Sequence, residues 1–272
     1  MSKITIVGAG SVGATIAYTL VVTGIASEIA LIDVKEDKAL GEAMDIRQGT
    51  PFCAPVSIYA GNYSDAVGSD VVVIACGVAR KPGQSRLDLA QTNVDIIKLI
   101  TPELVHYAPN AIYLIIANPV DILTYVFTKI SGLPERQIIG SGTILDTARL
   151  RSRIAEYLDI SQKNVYASVF GEHGDTSFVP WSLATIGGIG LDDYLATIDH
   201  NEDIGALPEF NREEIEQYTR TSGGKVISRK GATFYAVSIG ACHIIKTIFD
   251  GRNSLLSVSS MLHGEYLGLQ RR

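Results

Sequence analysis

The sequence predicts an α/β fold, in which a doubly wound parallel sheet is followed by a second α+β domain. Segments typical of short apolar strands alternate with segments of helical periodicity through the first half of the chain. One of them, Asp70–Ala75, carries a continuous apolar run of the kind found in parallel strands covered on both faces. The pattern becomes less regular after Gly140, so we place the first domain at residues 1–140 and the second at 141–272.

The first strand, Ile4–Val7, leads into three glycines with the G-x-G-x-x-G spacing, Gly8, Gly10 and Gly13. Gly8 allows a tight strand-to-helix turn, Gly10 lets the backbone approach a pyrophosphate, and Gly13 lets the next helix pack close to the strand. The first N–H groups of that helix, predicted over 11–22, would attract an anion. Because such glycine spacings also arise by chance, the interpretation depends on the residues that follow.

An acidic residue at the end of the second strand, Glu28–Asp33, completes the pattern. Asp33 lies 20 residues after Gly13, where a βαβ nucleotide site carries a carboxylate for the ribose hydroxyls. Its charge would repel a 2′-phosphate, and Val34 supplies no cation to receive one. We therefore expect NAD rather than NADP as the cofactor. The alternative is a glycine-rich turn beside an exposed acid that binds nothing.

Composition excludes several other classes. The formal net charge is −6 and no basic face is apparent, which argues against a nucleic-acid partner. Cys53, Cys76 and Cys242 are widely spaced with no C-x-x-C pair, as expected for reduced thiols in a cytoplasmic protein. The uncharged stretch Ile4–Ala26 is long enough for a signal peptide or membrane span, but its glycines and its change of periodicity favour a buried βα unit, so no membrane partner is expected.

The remaining elements follow in order. Helices are predicted over 34–49, 87–106, 144–158 and 211–248, and strands over 56–60, 111–116, 164–170 and 257–263. Ser222–Gly224 and Gly231 interrupt the last helical region, where we expect a break or kink. Ligands of doubly wound sheets gather at the carboxyl ends of the strands. Asp33, Gly77 and Asn118 all occupy such ends, which favours a binding function for this edge.

The second domain contains a candidate proton carrier. His173 lies between two glycines after a predicted strand, and histidine is the commonest general acid or base near neutral pH. We pair it with Asp146, and Arg149 shares a helix face with Asp146 because three positions separate them. A guanidinium there could grip a substrate carboxylate through two parallel hydrogen bonds. The alternatives are a surface histidine, with a stray metal role beside Glu172 and Asp175, and an ordinary helix salt bridge; we predict no metal site.

A basic loop follows the strand that ends near Gly77. It holds Arg80, Lys81 and Arg86 around a Pro-Gly pair in a protein that is acidic as a whole. Its glycines would let it close over a substrate, exclude water and bring an arginine to a carbonyl oxygen. The alternative is a solvated basic turn.

Together these motifs resemble the L-lactate/malate dehydrogenase family, most closely its bacterial L-lactate branch, from the first strand to about Tyr266. The resemblance rests on GAGSVG, Asp33, RKPGQSRLDL, NPVD, GSGTILDTARLR and GEHGD. It implies a Rossmann-type NAD-binding domain and a substrate domain that interconvert (S)-lactate and pyruvate by hydride transfer at C2. It further implies a cytoplasmic homo-oligomer, usually a tetramer.

The resemblance also implies a role for each candidate side chain. His173 and Asp146 would form the proton-transfer pair, and Arg149 would bind the substrate carboxylate. Arg86 would polarise the ketone, while Asn118 would hydrogen-bond the substrate oxygen.

The substrate signals within the family conflict. Arg80 stands where most lactate dehydrogenases have Gln and malate dehydrogenases have Arg, and a second cation would suit the dicarboxylate oxaloacetate. The Ser222–Gly224 segment also resembles the malate branch, whereas Thr233 resembles the lactate branch. We expect lactate and pyruvate as the substrates, with malate and oxaloacetate as the alternative.

Two further departures bear on regulation and completeness. Arg151 resembles the fructose 1,6-bisphosphate ligand of activated lactate dehydrogenases, but Tyr166 replaces its partner histidine, so we predict little activation. Family members continue past the Gly264–Tyr266 region with a strand and an amphipathic helix. We expect a shortened product with exposed apolar surface, which adds a third hypothesis, a truncated NAD-binding protein without activity.

Overall fold

A computed structural model of the chain describes residues 2–78, 86–199, 210–251 and 253–265, and it contains the predicted parallel sheet. Six strands pair in parallel in the order β3-β2-β1-β4-β5-β6. These strands are β1 Lys3–Val7, β2 Glu28–Ile32, β3 Ser57–Ala60, β4 Val71–Ile74, β5 Ile112–Ile115 and β6 Ile138–Gly140. This is the strand order of a Rossmann sheet, and it confirms the predicted fold class.

The register brings the carboxyl ends of the central strands level with one another. Val7, the last residue of β1, is the partner of Ile32 on one side and of Ile74 on the other. Ile74 in turn is opposite Ile115 at the end of β5. The residues that follow these strands therefore lie along one edge of the sheet.

Helices connect the strands and form the second part of the chain. They are α1 Ser11–Thr23, α2 Glu36–Gly49, α3 Arg86–Tyr107, α4 Val120–Ser131, α5 Ile144–Leu158, α6 Leu191–Asp199, α7 Arg212–Lys230 and α8 Tyr235–Asp250. The uncharged stretch Ile4–Ala26 forms most of β1, the whole of α1 and part of the connection to β2, as the buried βα interpretation predicted. In the part of the chain that the structure describes, no helix is long and apolar enough to cross a bilayer.

One face of the sheet is covered by α3 and α4. Ile97 and Leu104 of α3 and Phe127 of α4 pack with the apolar side chains of β4 and β5 in a single core. Tyr113 of β5 is fully buried in this core, and its hydroxyl donates to the carbonyls of Leu104 and Ala108, each at 2.9 Å. Both carbonyls also accept a backbone N–H, from Ala108 and Ala111 respectively, so the Tyr113 hydroxyl adds a further contact where α3 ends.

The second compact unit, Gly142–Thr233, has its own core. A small antiparallel sheet is formed by β7 Val165–Tyr166, β8 Thr185–Ile186 and β9 Ile189–Gly190. Apolar residues of α5 and α7, including Ile154 and Ile215, pack with Val165 in this core.

The two compact units of the structure differ from the two predicted domains in the C-terminal part of the chain. Met1–Ser141 groups with Phe234–Arg272, so α8 belongs with the parallel sheet rather than with the second unit. The reason is that α8 packs on α1: the hydroxyl of Ser238 donates to the Val12 carbonyl at 3.2 Å, and the thiol of Cys242 lies 3.8 Å from the Ile16 carbonyl.

The helical region predicted over 211–248, with a break or kink expected at Ser222–Gly224 and at Gly231, is interrupted at one of these places. The break at Gly231 is confirmed, because α7 ends there with a φ of +83° and α8 begins at Tyr235. At Ser222–Gly224 the helix is not interrupted, since α7 continues through this segment. Ser222 is buried and its hydroxyl donates to the Tyr218 carbonyl at 2.6 Å, so packing of this face outweighs the roughly 1 kcal/mol cost of each helical glycine.

Two predicted strands are much shorter than expected. The strand over 164–170 is reduced to β7, followed by a single bridge between Phe170 and Phe178. The strand over 257–263 is reduced to one bridge between Ser259 and Gly140, closed by backbone bonds of 2.9 and 3.0 Å. In the first case α5 side chains bond the backbone that would have extended the strand.

Candidate active site

The glycine turn after β1 has the geometry that its spacing predicts. Gly8 has a φ of +108°, and a Cβ there would lie 2.6 Å from the Cys76 amide nitrogen. A Cβ on Gly13 would overlap the Gly8 carbonyl oxygen, whereas a Cβ on Gly10 would meet no atom within 4 Å. Two of the glycines are therefore required by close packing of the protein, and the third faces open space.

The open space beside Gly10 lies at the beginning of α1. Gly10 is the N-cap of this helix, and no side chain caps its first turn. Uncapped N–H groups at a helix N-terminus, together with the helix dipole, favour a bound anion. The turn is thus suited to the pyrophosphate of a dinucleotide.

The carboxylate of Asp33 is held by backbone groups at the end of β2. One oxygen accepts the Ala9 N–H at 2.7 Å, and the other accepts the Lys35 N–H at 2.9 Å. Asp33 therefore ties the glycine turn to the neighbouring strand. Each carboxylate oxygen can accept more than one hydrogen bond, so the group can also receive hydroxyl donors from a ligand.

Gly77 and Asn118 follow β4 and β5 at the same edge of the sheet, and both are exposed. A buried side chain that sequence analysis did not identify, Asn93 of α3, connects them. Its amide oxygen accepts the Val78 N–H at 2.9 Å, while its amide nitrogen donates to the carbonyls of Asn118 at 2.6 Å and Val78 at 3.3 Å. A Cβ on Gly77 would lie 3.2 Å from the Asn93 oxygen, so Gly77 also makes room for this contact.

Asn93 could have been recognised from its position on α3. It shares the helix face of Ile97, Ile100 and Leu104, at the i, i+4, i+7 and i+11 spacing of a buried stripe. A polar residue in such a stripe must find hydrogen-bond partners in the interior. The backbone of the two strand ends provides them.

In the second unit, Asp146 joins the two other candidates. Its Oδ2 lies 2.5 Å from Nδ1 of His173, and its Oδ1 accepts from Nη1 of Arg149 at 3.0 Å. Asp146 is buried and the other two side chains are mostly buried, with 15% of Arg149 and 27% of His173 exposed. The predicted pairing of His173 with Asp146, and the shared helix face of Asp146 and Arg149, are both present in the structure.

Backbone bonds close the loop that carries His173. Phe170 and Phe178 exchange N–H to carbonyl bonds of 2.9 and 3.0 Å at its base. Inside it, the Ser177 hydroxyl donates to the Gly174 carbonyl at 3.0 Å, and Nε of Arg220 donates to the Ser177 carbonyl at 3.1 Å. The imidazole is therefore presented by a loop whose backbone is fixed on both sides.

The structure describes only some of the remaining candidate residues. Arg80 and Lys81 lie outside the described residues, and Arg86 is described only as the backbone start of α3. Thr233 is partly buried in the short connection between α7 and α8. The proposed roles of Arg80, Arg86 and Thr233 remain predictions.

The cysteines near the sheet edge do not resemble nucleophiles. Burial raises the pKa of Cys76 to about 12, so this thiol next to the glycine turn stays protonated. Burial raises the pKa of Cys242 to about 12 as well. Within the described ranges, no group of three or more His, Cys, Asp or Glu side chains is arranged to hold a metal ion.

Comparison with known families identifies both parts of the chain. Residues 2–140 match the model of the lactate/malate dehydrogenase NAD-binding domain. Residues 143–271 match the model of the alpha/beta C-terminal domain of the same family.

Individual relatives agree with the family models. The chain is 46% identical over 267 residues to an L-lactate dehydrogenase of Thermoanaerobacterium saccharolyticum, covering 98% of this chain and 84% of the relative. It is 45% identical over 266 residues to one of Acetivibrio thermocellus, covering 98% and 82%.

Solved structures give the same result. A lactate dehydrogenase from a Medee basin deep-sea metagenome library superposes with a TM-score of 0.92 at 39% identity, covering 99% of this chain and 84% of that one. The minor L-lactate dehydrogenase of Enterococcus mundtii has a TM-score of 0.91 at 37% identity, with the same coverage. The chain therefore belongs to the lactate/malate dehydrogenase family, and its first part is the NAD-binding domain of that family.

Proposed function

We propose that this protein is an NAD-dependent L-lactate dehydrogenase, which interconverts (S)-lactate and pyruvate. The observation that carries the proposal is the Asp146 carboxylate, which holds a histidine on one oxygen and an arginine on the other. A 2-keto acid offers the two groups that such a pair would serve, a carbonyl that must gain a proton and a carboxylate that must be held. The relatives named above carry the same activity in their names.

The residues of the glycine turn fit the cofactor that the family uses. The first-turn N–H groups of α1 would hold the pyrophosphate, and the absence of a Cβ at Gly10 leaves room for it. The Asp33 carboxylate would accept the ribose hydroxyls and disfavour a 2′-phosphate. When bound, the reduced nicotinamide supplies the hydride that C2 of the substrate receives.

His173 would supply the proton. Its Nδ1 faces Asp146, so Nε2 is the ring atom that can transfer a proton to the substrate oxygen during pyruvate reduction and remove it during lactate oxidation. The carboxylate beside Nδ1 favours the imidazolium form, which is the proton donor. Asp146 thus both orients the ring and stabilises the protonated form.

Arg149 would bind the substrate carboxylate. One of its nitrogens is fixed by Asp146, which holds the guanidinium plane while other N–H groups can form a two-point contact with the substrate. By resemblance, Arg86 would polarise the ketone and Asn118 would hydrogen-bond its oxygen. Asn93 fixes the backbone of Asn118, which would keep that residue in position.

Malate dehydrogenase remains the second candidate, because Arg80 offers a cation for a second carboxylate. The deciding experiment follows NADH oxidation by the purified protein with pyruvate and with oxaloacetate. A higher kcat/KM with pyruvate supports the proposal, and a higher kcat/KM with oxaloacetate supports the alternative. Retained NADH binding without turnover of either substrate would support the third hypothesis, a non-catalytic NAD-binding protein.

We further infer a cytoplasmic homo-oligomer, by resemblance a tetramer. Exposed apolar side chains on α1 and α8, such as Tyr18 and Ile239, are typical of a surface that a partner covers. The unpaired thiols of Cys53, Cys76 and Cys242 suit a reducing compartment. Light scattering of the purified protein measures the oligomeric state, and a monomer at working concentration would contradict this part.

Activation by fructose 1,6-bisphosphate is expected to be small. Nε of Arg151 donates to the Ala167 carbonyl at 2.8 Å, so part of this guanidinium is already engaged. Tyr166 brings no second cation to the same region. Titration of the enzyme with the bisphosphate at subsaturating pyruvate tests this expectation.

A further inference from the structure

Three side chains of α5 and its N-cap, four positions apart, bond the backbone that precedes the His173 loop. The Thr143 hydroxyl donates to the Val169 carbonyl at 2.6 Å, and the Thr147 hydroxyl accepts the Val169 N–H at 2.9 Å. One turn further, Nε of Arg151 donates to the Ala167 carbonyl. This stripe takes the place of a strand partner, which explains why the strand predicted over 164–170 stops after Tyr166.

The two threonine bonds are buried and specific. Thr143 and Thr147 are each 4% exposed and Val169 is 1% exposed, so water cannot replace either bond without a rearrangement. Thr143 occupies the N-cap position of α5, yet its hydroxyl does not cap the helix. A threonine at this position usually accepts an N–H of the first turn. Here the hydroxyl donates to the Val169 carbonyl instead, so it does not accept an N–H of the first turn of α5.

The position of these bonds relates them to the proton-transfer pair. Asp146 directly precedes Thr147 on α5, and Val169 precedes His173 by four residues. Phe170, which lies between Val169 and His173, exchanges two backbone hydrogen bonds with Phe178 at the base of the loop. Thr143 and Thr147 therefore connect the helix that carries the carboxylate to the rigid loop that carries the imidazole.

We propose that Thr143 and Thr147 are positioning residues that set the distance between the Asp146 carboxylate and the His173 ring. Neither threonine is placed in contact with substrate or cofactor. Both act through the Val169 backbone, whose two polar groups they bind. The proposal rests on the proposed function for its kinetic consequences, and on the geometry of this unit alone for its structural ones.

The test replaces each hydroxyl by a methyl group of similar size, in Thr147→Val and Thr143→Val. Thr147→Ser and Thr143→Ser keep the hydroxyls. Thr219→Val is the matched control, because Thr219 is a buried threonine of the same unit whose hydroxyl donates within its own helix, to the Ile215 carbonyl at 2.8 Å. Melting temperature and NADH affinity are measured for every variant.

The decisive measurement is the pH profile of kcat/KM for pyruvate reduction. Looser contact with Asp146 makes the imidazolium less stable, so the alkaline limb should move to lower pH in both valine variants. Activity at the optimum should fall by about 10- to 100-fold, since small displacements of a catalytic group have effects of that order. The serine variants should keep the wild-type profile, and Thr219→Val should lower the melting temperature without moving the limb.

A second measurement does not depend on turnover. The chain has five histidines, and the ring signal of His173 in NMR spectra is the one lost in His173→Gln. Its titration midpoint should fall in the valine variants and stay constant in Thr219→Val. Among the described residues, the charged groups that face or neighbour this ring include Asp146, with Arg149 on its other oxygen, and the loop residues Glu172 and Asp175, and the variants alter none of these.

The outcomes separate the two proposals. An unchanged pH limb and an unchanged midpoint in both valine variants would overturn the positioning role. A wild-type protein inactive with pyruvate would overturn the proposed function, while the NMR midpoint would still decide the positioning role. If one valine variant does not fold, the other variant and the serine series give the same comparison.

Discussion

The Oδ2 atom of Asp146 lies 2.5 Å from Nδ1 of His173, although the two residues are 27 positions apart in the chain. Because the second carboxylate oxygen holds Arg149, one buried acid orients both the proposed proton carrier and the proposed carboxylate-binding cation. The imidazole and the guanidinium are both held by this carboxylate, and such preorganisation lowers the cost of assembling a reactive complex.

Replacing His173 by alanine should remove the proton donor and leave the cofactor-binding turn intact. We expect kcat for pyruvate reduction to fall by about 10² to 10⁴, the usual contribution of a general acid. Stopped-flow or steady-state NADH oxidation measures the rate, and NADH fluorescence measures the affinity. Turnover close to wild type would exclude His173 as the proton donor, and His173→Gln serves as a second variant with a polar side chain.

Arg149→Lys keeps the positive charge but loses the planar two-point contact. Hydrogen bonds to charged groups contribute about 1.5–3 kcal/mol, so the KM for pyruvate should rise roughly 10- to 100-fold. NADH affinity should not change, because Arg149 belongs to the other family domain. Arg153→Lys is the matched control, since Arg153 is an α5 arginine paired with Glu156 and Glu214. An equal rise in KM in both variants would contradict the assignment.

The Asp33 carboxylate is expected to affect both the stability of the fold and the choice of cofactor, and two variants distinguish these effects. Asp33→Ala leaves the buried Ala9 N–H without its acceptor, which should cost about 1–3 kcal/mol of unfolding free energy. Asp33→Asn removes the negative charge with little change of shape, so the preference for NADH over NADPH should decline. Denaturant unfolding and kcat/KM with each cofactor provide the two readings. A cofactor preference unchanged in Asp33→Asn would mean that the carboxylate does not discriminate against the 2′-phosphate.

Much of this architecture could be predicted because its signals are local. The spacing of Gly8, Gly10 and Gly13 after an apolar strand predicts a nucleotide-binding turn, and the continuous apolar run of β4 predicts a parallel strand. The i,i+3 spacing of Asp146 and Arg149 predicts their shared helix face. The pairing of Asp146 with His173 of the GEHGD motif rested on the complementary chemistry of the two side chains, and the family resemblance implies the same pair, since no local rule relates residues that lie far apart in sequence.

What could not be predicted depends on tertiary hydrogen bonds. The Val169 backbone bonds threonine side chains of α5 and leaves the strand, and strand propensity carries no information about that competition. The glycine pair after Ser222 remains helical, next to the buried Thr219 and Ser222 of the preceding turn. Asn93 could have been found as a polar residue in an apolar stripe, but its partners at two strand ends could not.

Arg80→Gln tests substrate choice within the family. The resemblance places Arg80 where a second cation would suit a dicarboxylate, so its removal should shift the kcat/KM ratio towards pyruvate over oxaloacetate. A partly exposed ion pair contributes up to about 1 kcal/mol, which corresponds to a shift of several fold. Arg136→Gln, an arginine outside the basic loop, is the control. A ratio that stays constant in Arg80→Gln would show that another residue selects the substrate.

Gly10 and Gly13 provide a matched pair for the cofactor site. Gly13→Ala places a Cβ against the Gly8 carbonyl oxygen, so it should lower the melting temperature and displace the turn. Gly10→Ala adds the same methyl group where no protein atom lies within 4 Å, so the fold should remain as stable as wild type. NADH affinity should nevertheless fall tenfold or more in Gly10→Ala, a loss of at least ~1.4 kcal/mol, because the methyl group would occupy the space proposed for the pyrophosphate. Calorimetry of both variants gives the stabilities and affinities, and wild-type NADH affinity in Gly10→Ala would place the pyrophosphate elsewhere.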